Sequence, residues 1–437
     1  MKKVLGTLAA GAILATGLVS NANATKPLNE LNFKFGVQHR VMYNNSNIAS
    51  TKQYDFFRQR LRVDFDVSTE DGVGTFFQIE YRGGWGGSSP SSSDPRGTYA
   101  INAFNRLQAR GLRYGYLYAP VGPGTVLAGI LPANDEVNQM LFSADWDLNV
   151  GGVAYTGKAG GVNWRAAYVR LVEGVGLIKN ASINKDQDEH FIILDLDTDM
   201  GGAKVGAHLY GAYGKVCIAG TGQECIDTNN SAANDAPATK LNQTWIALTA
   251  SAGPISGAII QNNGKIGNNS TSGTLLRVEG NADLGKAKVG VLGVYSTGKS
   301  NGNGFKTVHN ILGTGGYWGY TYIFIPHGPS DVNDFGLEVG NKGYGLTSIQ
   351  AKADIGLTKG ISLQVVGGYF ASNKDMAGNG KNLGTEEGIQ FTFNLGKYMN
   401  LEVGTAFAQL GKAGKAMYQG NNKSSVNETF ARMQIEF

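Results

Sequence analysis

Residues Gly293-Val294-Tyr295-Ser296-Thr297-Gly298-Lys299-Ser300 satisfy the letter pattern of a phosphate-cradling loop: glycine, four residues, then Gly-Lys-Ser. That chemistry needs a helix to begin directly after the serine, so that its first backbone amides meet the phosphate. Here Asn301-Gly302-Asn303-Gly304 follows, so the segment reads as a strand running into a loop, and the match as chance. Asp186, Asp188 and Glu189 offer carboxylates to a divalent cation, but the EF-hand spacing and its central glycine are missing. A solvated acidic loop is the better account, with weak calcium binding as the alternative. The five histidines, His39, His190, His208, His309 and His327, form no His-Glu-x-x-His pair, and no Gly-x-Ser-x-Gly elbow is present. Cys217 and Cys225 lie close together in a polar stretch without metal-ligand spacing. They read as a loop disulfide, worth roughly 2–3 kcal/mol for so short a loop, or else as two free thiols. Neither an enzyme nor a metal or other cofactor is expected.

The elements that carry these residues follow from the ends and the composition. Met1-Lys2-Lys3 supplies a positive start, Val4 to Val19 an apolar stretch, and Ala22-Asn23-Ala24 a small-residue cleavage site, the layout of a secretory signal peptide over 1–24. Its removal would leave residues 25–437 as one domain of about 413 residues and, with two lysines gone, take the formal net charge from +4 to about +2. Near-neutral charge argues against a nucleic-acid partner. Beyond the signal no run reaches the 18 apolar residues of a membrane-spanning helix, which leaves a soluble protein or a β-barrel. Sixty-four glycines, ten prolines, nineteen tyrosines and nineteen phenylalanines suit many strands with tight turns and aromatic girdles.

Periodicity decides for the barrel. Leu31, Phe33, Phe35, Val37, Val41 and Tyr43 alternate with Asn32, Lys34, Gln38 and Arg40, a lipid face against a wet one, with His39 as an interface residue on the apolar side. Phe57, Leu61, Val63, Phe65 and Val67 alternate with Arg58, Arg60, Arg62, Asp64 and Asp66. The pattern returns around Arg277, Lys352, Gln364 and Gln390. A soluble sandwich has no need of so many strands with a polar inner face. Compact turns are expected at Ser68–Gly72, Ala119–Gly124, Gly157–Gly161, Asp199–Gly202, Ala252–Pro254, Leu284–Lys286, Leu357–Gly360 and Leu395–Met399, with nine longer polar connections between them. The direct count is eighteen strands, and sixteen is the alternative because 297–345 is ambiguous. A change of phase between Arg110 and Tyr114 implies a bulge near Gly111. Tyr43, Tyr81, Tyr116, Tyr118, Tyr369 and Phe437 fall near strand ends and suit interfacial girdles.

The amphipathic last segment, Phe430-Ala431-Arg432-Met433-Gln434-Ile435-Glu436-Phe437, resembles the terminal signal read by the outer-membrane assembly machinery, with Phe437 as its key residue. Together with Phe57–Trp85 it makes the chain resemble the Gram-negative general porins, most nearly the homotrimeric porins of sulfate-reducing bacteria. The resemblance implies an all-β, transmembrane antiparallel barrel of 16–18 strands with short periplasmic turns and long extracellular loops. It also implies an outer-membrane location, contact with outer-membrane lipid, assembly as a homotrimer, and passive diffusion of small hydrophilic solutes and ions. In that family a third long loop folds inward, and residues 131–149 hold its place. Acids on the loop would be Asp135, Glu136, Asp145 and Asp147, opposed to wall residues Arg58, Arg60, Arg62, Arg106 and Arg110. Opposed charges across a narrow pore orient polar solutes, whereas arginines paired with Glu80, Asp64 or Asp66 would only hold the wall together. A substrate-specific channel for sugars or anions, or a barrel serving mainly as a surface adhesin, are the other readings.

Overall fold

The computed structural model describes residues 31–48, 54–85, 108–146, 148–172, 189–216, 239–308, 311, 318–326, 330, 336–418 and 423–437. The expected signal peptide, Arg106, Asp147, Asp186, Asp188, Cys217 and Cys225 lie outside them.

Eighteen strands form one sheet: β1 Leu31–Ser46, β2 Tyr54–Thr69, β3 Gly74–Gly84, β4 Gln108–Val121, β5 Gly124–Pro132, β6 Asn149–Ala159, β7 Val162–Val172, β8 Glu189–Met200, β9 Ala203–Val216, β10 Thr239–Ala252, β11 Ile255–Ile266, β12 Asn269–Asp283, β13 Ala287–Ser296, β14 Leu346–Thr358, β15 Ile361–Ser372, β16 Asn382–Asn394, β17 Met399–Leu410 and β18 Ser425–Glu436. Each strand pairs antiparallel with its neighbours in sequence, and β1 pairs with β18 to close the ring. Val37 and Phe437 exchange backbone bonds of 2.8 and 3.0 Å at that seam. All eight expected turns coincide with the short connections at one end. At the other end eight of the nine connections are longer, and the ninth, 267–268, is two residues. The sheet has eighteen strands rather than sixteen, and the described part of 297–345 adds none. Its aromatic stretch is bonded by wall side chains instead of by a neighbouring strand.

The phase change in β4 is a bulge. Gln78 pairs with Tyr114 but Ile79 with Leu112, and Glu80 with Gly111 but Tyr81 with Ala109, so Arg113 and Arg110 are the extra residues. Gly111 accommodates the kink at φ 98°, a conformation costly for a residue with a Cβ. Beyond the bulge Tyr116 and Tyr118 face the lumen rather than a girdle: the Tyr118 hydroxyl donates to Asp66, and Tyr116 stacks on Phe76. Outward, Tyr398 meets Phe437 edge to face at the turn end.

The outer wall exposes Leu117, Leu196, Ile246, Leu248, Ile259 and Val278, an apolar band that only lipid or another protein surface would cover. The inner wall is divided. Val169, Phe191, Ile193, Leu241, Trp245, Ile260, Leu275 and Leu292 point inward and are buried under the 133–148 and 297–345 connections, which contribute Val137, Leu141 and Phe142 and Phe305, Tyr322 and Phe324. Gly273 permits part of this approach, since a Cβ there would sit 2.4 Å from the Phe305 backbone nitrogen. One arc of the barrel is thus a packed core, to which Ala406, Ala408, Val426 and Phe430 on β17 and β18 also belong, whereas the inner wall of β1 and β2 and the turn-end halves of β17 and β18 is polar.

Leu248→Arg, on the outward face, is expected to lower folding stability by about 2–4 kcal/mol, read as a shifted urea midpoint for refolding into lipid vesicles. An unchanged midpoint would mean that this face does not meet hydrocarbon.

Candidate functional site

Between this polar wall and the inward faces of β12 and β14 lies a cavity of about 600 Å³. Its cations come from five strands: Arg40 on β1, Arg60 and Arg62 on β2, Arg277 on β12, Lys352 on β14 and Arg432 on β18. Two acids line it, Asp145 and Glu279, with Asn138 and Gln139 from the 133–148 connection and Trp318, Gly319 and Tyr320 from 297–345. Strand alternation aims the cations inward. A guanidinium turned toward mid-bilayer lipid would cost roughly 2–4 kcal/mol.

Wall carboxylates hold several of these side chains in place. Arg62 Nε donates to Glu80 at 2.8 Å, with Arg82 Nε 3.0 Å from the other oxygen. Arg432 binds Glu402 through two nitrogens, at 2.5 and 3.0 Å. Arg60 donates to Gln38 at 2.6 Å. Arg277 pairs with Glu279, which also accepts from the Tyr320 hydroxyl, and the Lys352 ammonium lies 4.8 Å from the Tyr320 ring centroid. Guanidiniums fixed in this way present charge without the entropy of a free side chain.

The 133–148 connection is clasped from both sides. Arg113 donates to the Ala144 carbonyl at 2.5 Å, Arg165 to the Asn134 carbonyl at 2.7 Å, and the Tyr210 hydroxyl accepts from Glu136 N–H at 3.2 Å. Asp135 was expected on a pore-facing acidic edge and is not there. It is buried, and its carboxylate accepts N–H bonds from Val137, Gln139, Leu141 and Phe142 at 2.6–2.9 Å. Burial pushes that carboxyl up to about 6, against the pull of the four amides. Glu136 lies 3.7 Å from Arg165, and burial raises its carboxyl too. Among the described acids of this connection, Asp145 alone lines the cavity. Arg58 faces inward and is buried but is not among the lining residues, and Arg110 is the extra residue of a bulge.

The 297–345 connection is held in the same manner. Glu386 on β16 accepts the N–H groups of Tyr322, Ile323 and Phe324 at 2.6–2.8 Å, and Gln350 accepts that of Tyr320 at 2.8 Å. Tyr322 donates to Gln364, and Ser330 to Glu428 on β18. The Gly293–Ser300 motif crosses from β13 into this connection, where Lys299 N–H bonds Gly343 and its ammonium donates to Ser272.

One arrangement resembles a hydrolytic relay: His208 Nδ1 is 2.9 Å from Asp195, and Nε2 is 3.1 Å from the Thr249 hydroxyl. The imidazole is wholly enclosed and Asp195 also accepts from Arg165 and Tyr210. A substrate would not reach it, and the group reads as a wall network beneath the loop. Sequence reasoning did not single out Arg277, Lys352, Arg432, Trp318 or Tyr320 as site residues. The signal was present for the first three, which fall on the polar phase of alternating strands.

No protein-family model and no curated protein matches the chain. Among solved structures it is similar to the Pseudomonas aeruginosa outer membrane protein opdK (TM-score 0.57, 13% identity), to OccK5 (OpdH) from the same organism (0.56, 12%), and to OccK2 (OpdF) in complex with glucuronate (0.55, 12%). Each likeness covers 93% of this chain and 98% of the other. At these identities the likeness concerns the fold. With its closed ring and apolar outer band, the chain is a bacterial outer-membrane β-barrel.

Asp135→Ala removes the acceptor of four amides. It is expected to make the 133–148 connection at least ten-fold more susceptible to protease in the folded, detergent-solubilised barrel, a charged hydrogen bond being worth about 1.5–3 kcal/mol. Equal cleavage rates would mean that the wall clasps alone hold the loop.

Proposed function

We propose that this protein is a porin, a water-filled channel through which small hydrophilic solutes cross the outer membrane, and that its waist favours anions. The observation that carries the reading is the cavity lining, with six cationic side chains against two acidic ones. In a narrow, low-dielectric passage such an imbalance concentrates anions and repels cations. The 133–148 connection acts as the constriction loop and shares the waist with 297–345. Of the two alternatives for a channel, free diffusion and substrate preference, the crowded waist favours the second. Structures similar to this one hold vanillate and glucuronate, both carboxylates, and a carboxylate is the anion that fixed guanidiniums bind in two-point fashion.

The homotrimer belongs to the same proposal. Phe33, Phe35, Phe57, Phe65 and Phe77 form an outward aromatic face on β1–β3, and within it Gln59 lies 2.9 Å from the His39 ring and accepts from Trp85 at 3.0 Å. Polar side chains are costly against hydrocarbon and are better matched by another copy. Phe437, at the closing seam, is proposed as the assembly signal.

In planar bilayers under a salt gradient, the reversal potential is expected to have the sign of anion selectivity. Arg60→Gln combined with Lys352→Gln should lower the anion-to-cation permeability ratio several-fold, since each charge within a Debye length contributes to the local potential. A properly folded barrel without conductance would sink the channel reading, and cation selectivity would sink the anion preference alone.

A further inference from the structure

The outer wall from β7 to β13 changes character along its length. Toward the turn end and the middle it is aliphatic, with Leu194, Leu196, Leu209, Ile246, Leu248, Ile259, Leu276 and Val278 exposed. Nearer the long connections the same outward phase becomes polar and basic. On β10 the inward residues are Leu241, Gln243 and Trp245, all buried, which puts Lys240, Asn242 and Thr244 outside. On β11 Ala258, Ile260 and Asn262 are inward, which puts Gln261, Asn263 and Lys265 outside. Ser270, Ser272 and Thr274 continue the belt on β12, and Lys299 reaches it by donating to Ser272 at 2.9 Å.

These residues are adjacent. Asn242 pairs with Lys265, Lys265 pairs with Ser270, and Lys240 is two residues along from Asn242. That diagonal relation places the two lysine stems about 7–8 Å apart. Lys240, Lys265 and Lys299 are all exposed. The acids of these strands do not answer them: Glu189, Asp195, Asp197, Asp199 and Glu279 are on the inward phase, and Asp283 is at the turn end. Among the described residues from β7 to β13, no carboxylate faces outward near the long connections. On β16, by contrast, Glu387 does.

We propose that this belt is a binding site for the phosphorylated headgroup of an outer-leaflet lipid. Two arguments choose a lipid over a free anion. The lysines share their strands with exposed aliphatic side chains, with Asn242 and Thr244 between Lys240 and Ile246 and with Asn263 and Gln261 between Lys265 and Ile259, so a molecule with phosphate, a polar headgroup and acyl chains meets all three zones in order. The belt also faces away from the lumen, where dissolved ions and solutes pass. Hydroxyl and amide groups of Ser270, Asn242 and Asn263 beside the ammoniums supply hydrogen bonds to phosphate oxygens or sugar hydroxyls. The site does not depend on what the channel carries.

The test uses the full-length folded barrel in detergent, with bis-phosphorylated lipid A and its dephosphorylated form as probes and bound lipid counted by native mass spectrometry. The phosphorylated form should be retained preferentially. Lys240→Gln combined with Lys265→Gln should weaken that retention about 25-fold, roughly five-fold for each lysine near the headgroup plane. Lys34→Gln, at the turn end of β1, should leave it unchanged. Equal retention of the two lipids, or undiminished retention by the double variant, would overturn the assignment. Displacement of bound lipid by low-millimolar inorganic phosphate would also overturn it, by showing a site for the free anion. Channel conductance is measured separately, so a failed lipid assay leaves the transport reading standing and the reverse holds as well.

Discussion

A chain that crosses hydrocarbon must satisfy every backbone N–H and C=O from within, because lipid offers no partner. Here that requirement is met by closure. The pairing of β1 with β18, finished by the mutual bonds of Val37 and Phe437, leaves the sheet without an edge. Everything else follows from the ring. Alternation sends one set of side chains to lipid and the other to the lumen. Eighteen strands also enclose more space than wall side chains fill, so the interior has to be furnished by the connections.

How they are held explains the character of the waist. The described parts of 133–148 and 297–345 enter the lumen, and each brings backbone amides that need acceptors. Asp135 serves the first from within the loop, and Glu386 serves the second from the wall. Glu428 takes Ser330, and Glu338 takes Gly340 N–H and the Thr307 hydroxyl. These carboxylates are buried, directed at loop groups and absent from the cavity lining. The guanidiniums of Arg40, Arg60, Arg62, Arg277 and Arg432 line it instead. The cationic balance of the passage is in this sense a consequence of the packing that narrows it. Carboxylates, as acceptors, suit loop amides or, as with Glu80 and Glu402, fix a guanidinium at the wall, and the donor atoms that remain face the water.

Much of the frame was legible in the sequence because it rests on local rules. The alternation in β1 and β2 names both faces, and turns such as Gly160-Gly161 and Gly201-Gly202 carry the glycines that positive φ requires. The bulge at Gly111 was readable from a slip in phase. The site was less legible for a physical reason. Arg40, Arg277 and Arg432 are far apart in sequence, and only ring closure and register bring them to one cavity. Asp135 misled because composition reveals that a loop is acidic but not whether a carboxylate turns outward or is captured by its own backbone. Tyr116 and Tyr118 misled because β4 carries two extra residues, Arg110 and Arg113, and the second undoes the change of phase that the first makes. The segment from Trp318 to Ile325 has no strand period to read, since its backbone is bonded by the side chains of Gln350 and Glu386 rather than by a ladder.

The same division explains how this chain shares its fold with barrels of 12–13% identity. The ring asks for apolar residues on one phase, polar ones on the other, and turns at regular intervals. Many sequences meet those demands, and exchange among Leu, Ile, Val and Phe on the lipid face costs little. The inward phase is free of that constraint at the waist, where each side chain faces water and its neighbours across the lumen. Substitution there leaves the barrel intact and alters the passage. Fold similarity therefore has little to say about which solute passes, and the positions of Arg60, Arg277, Tyr320, Lys352 and Arg432 have most of the say.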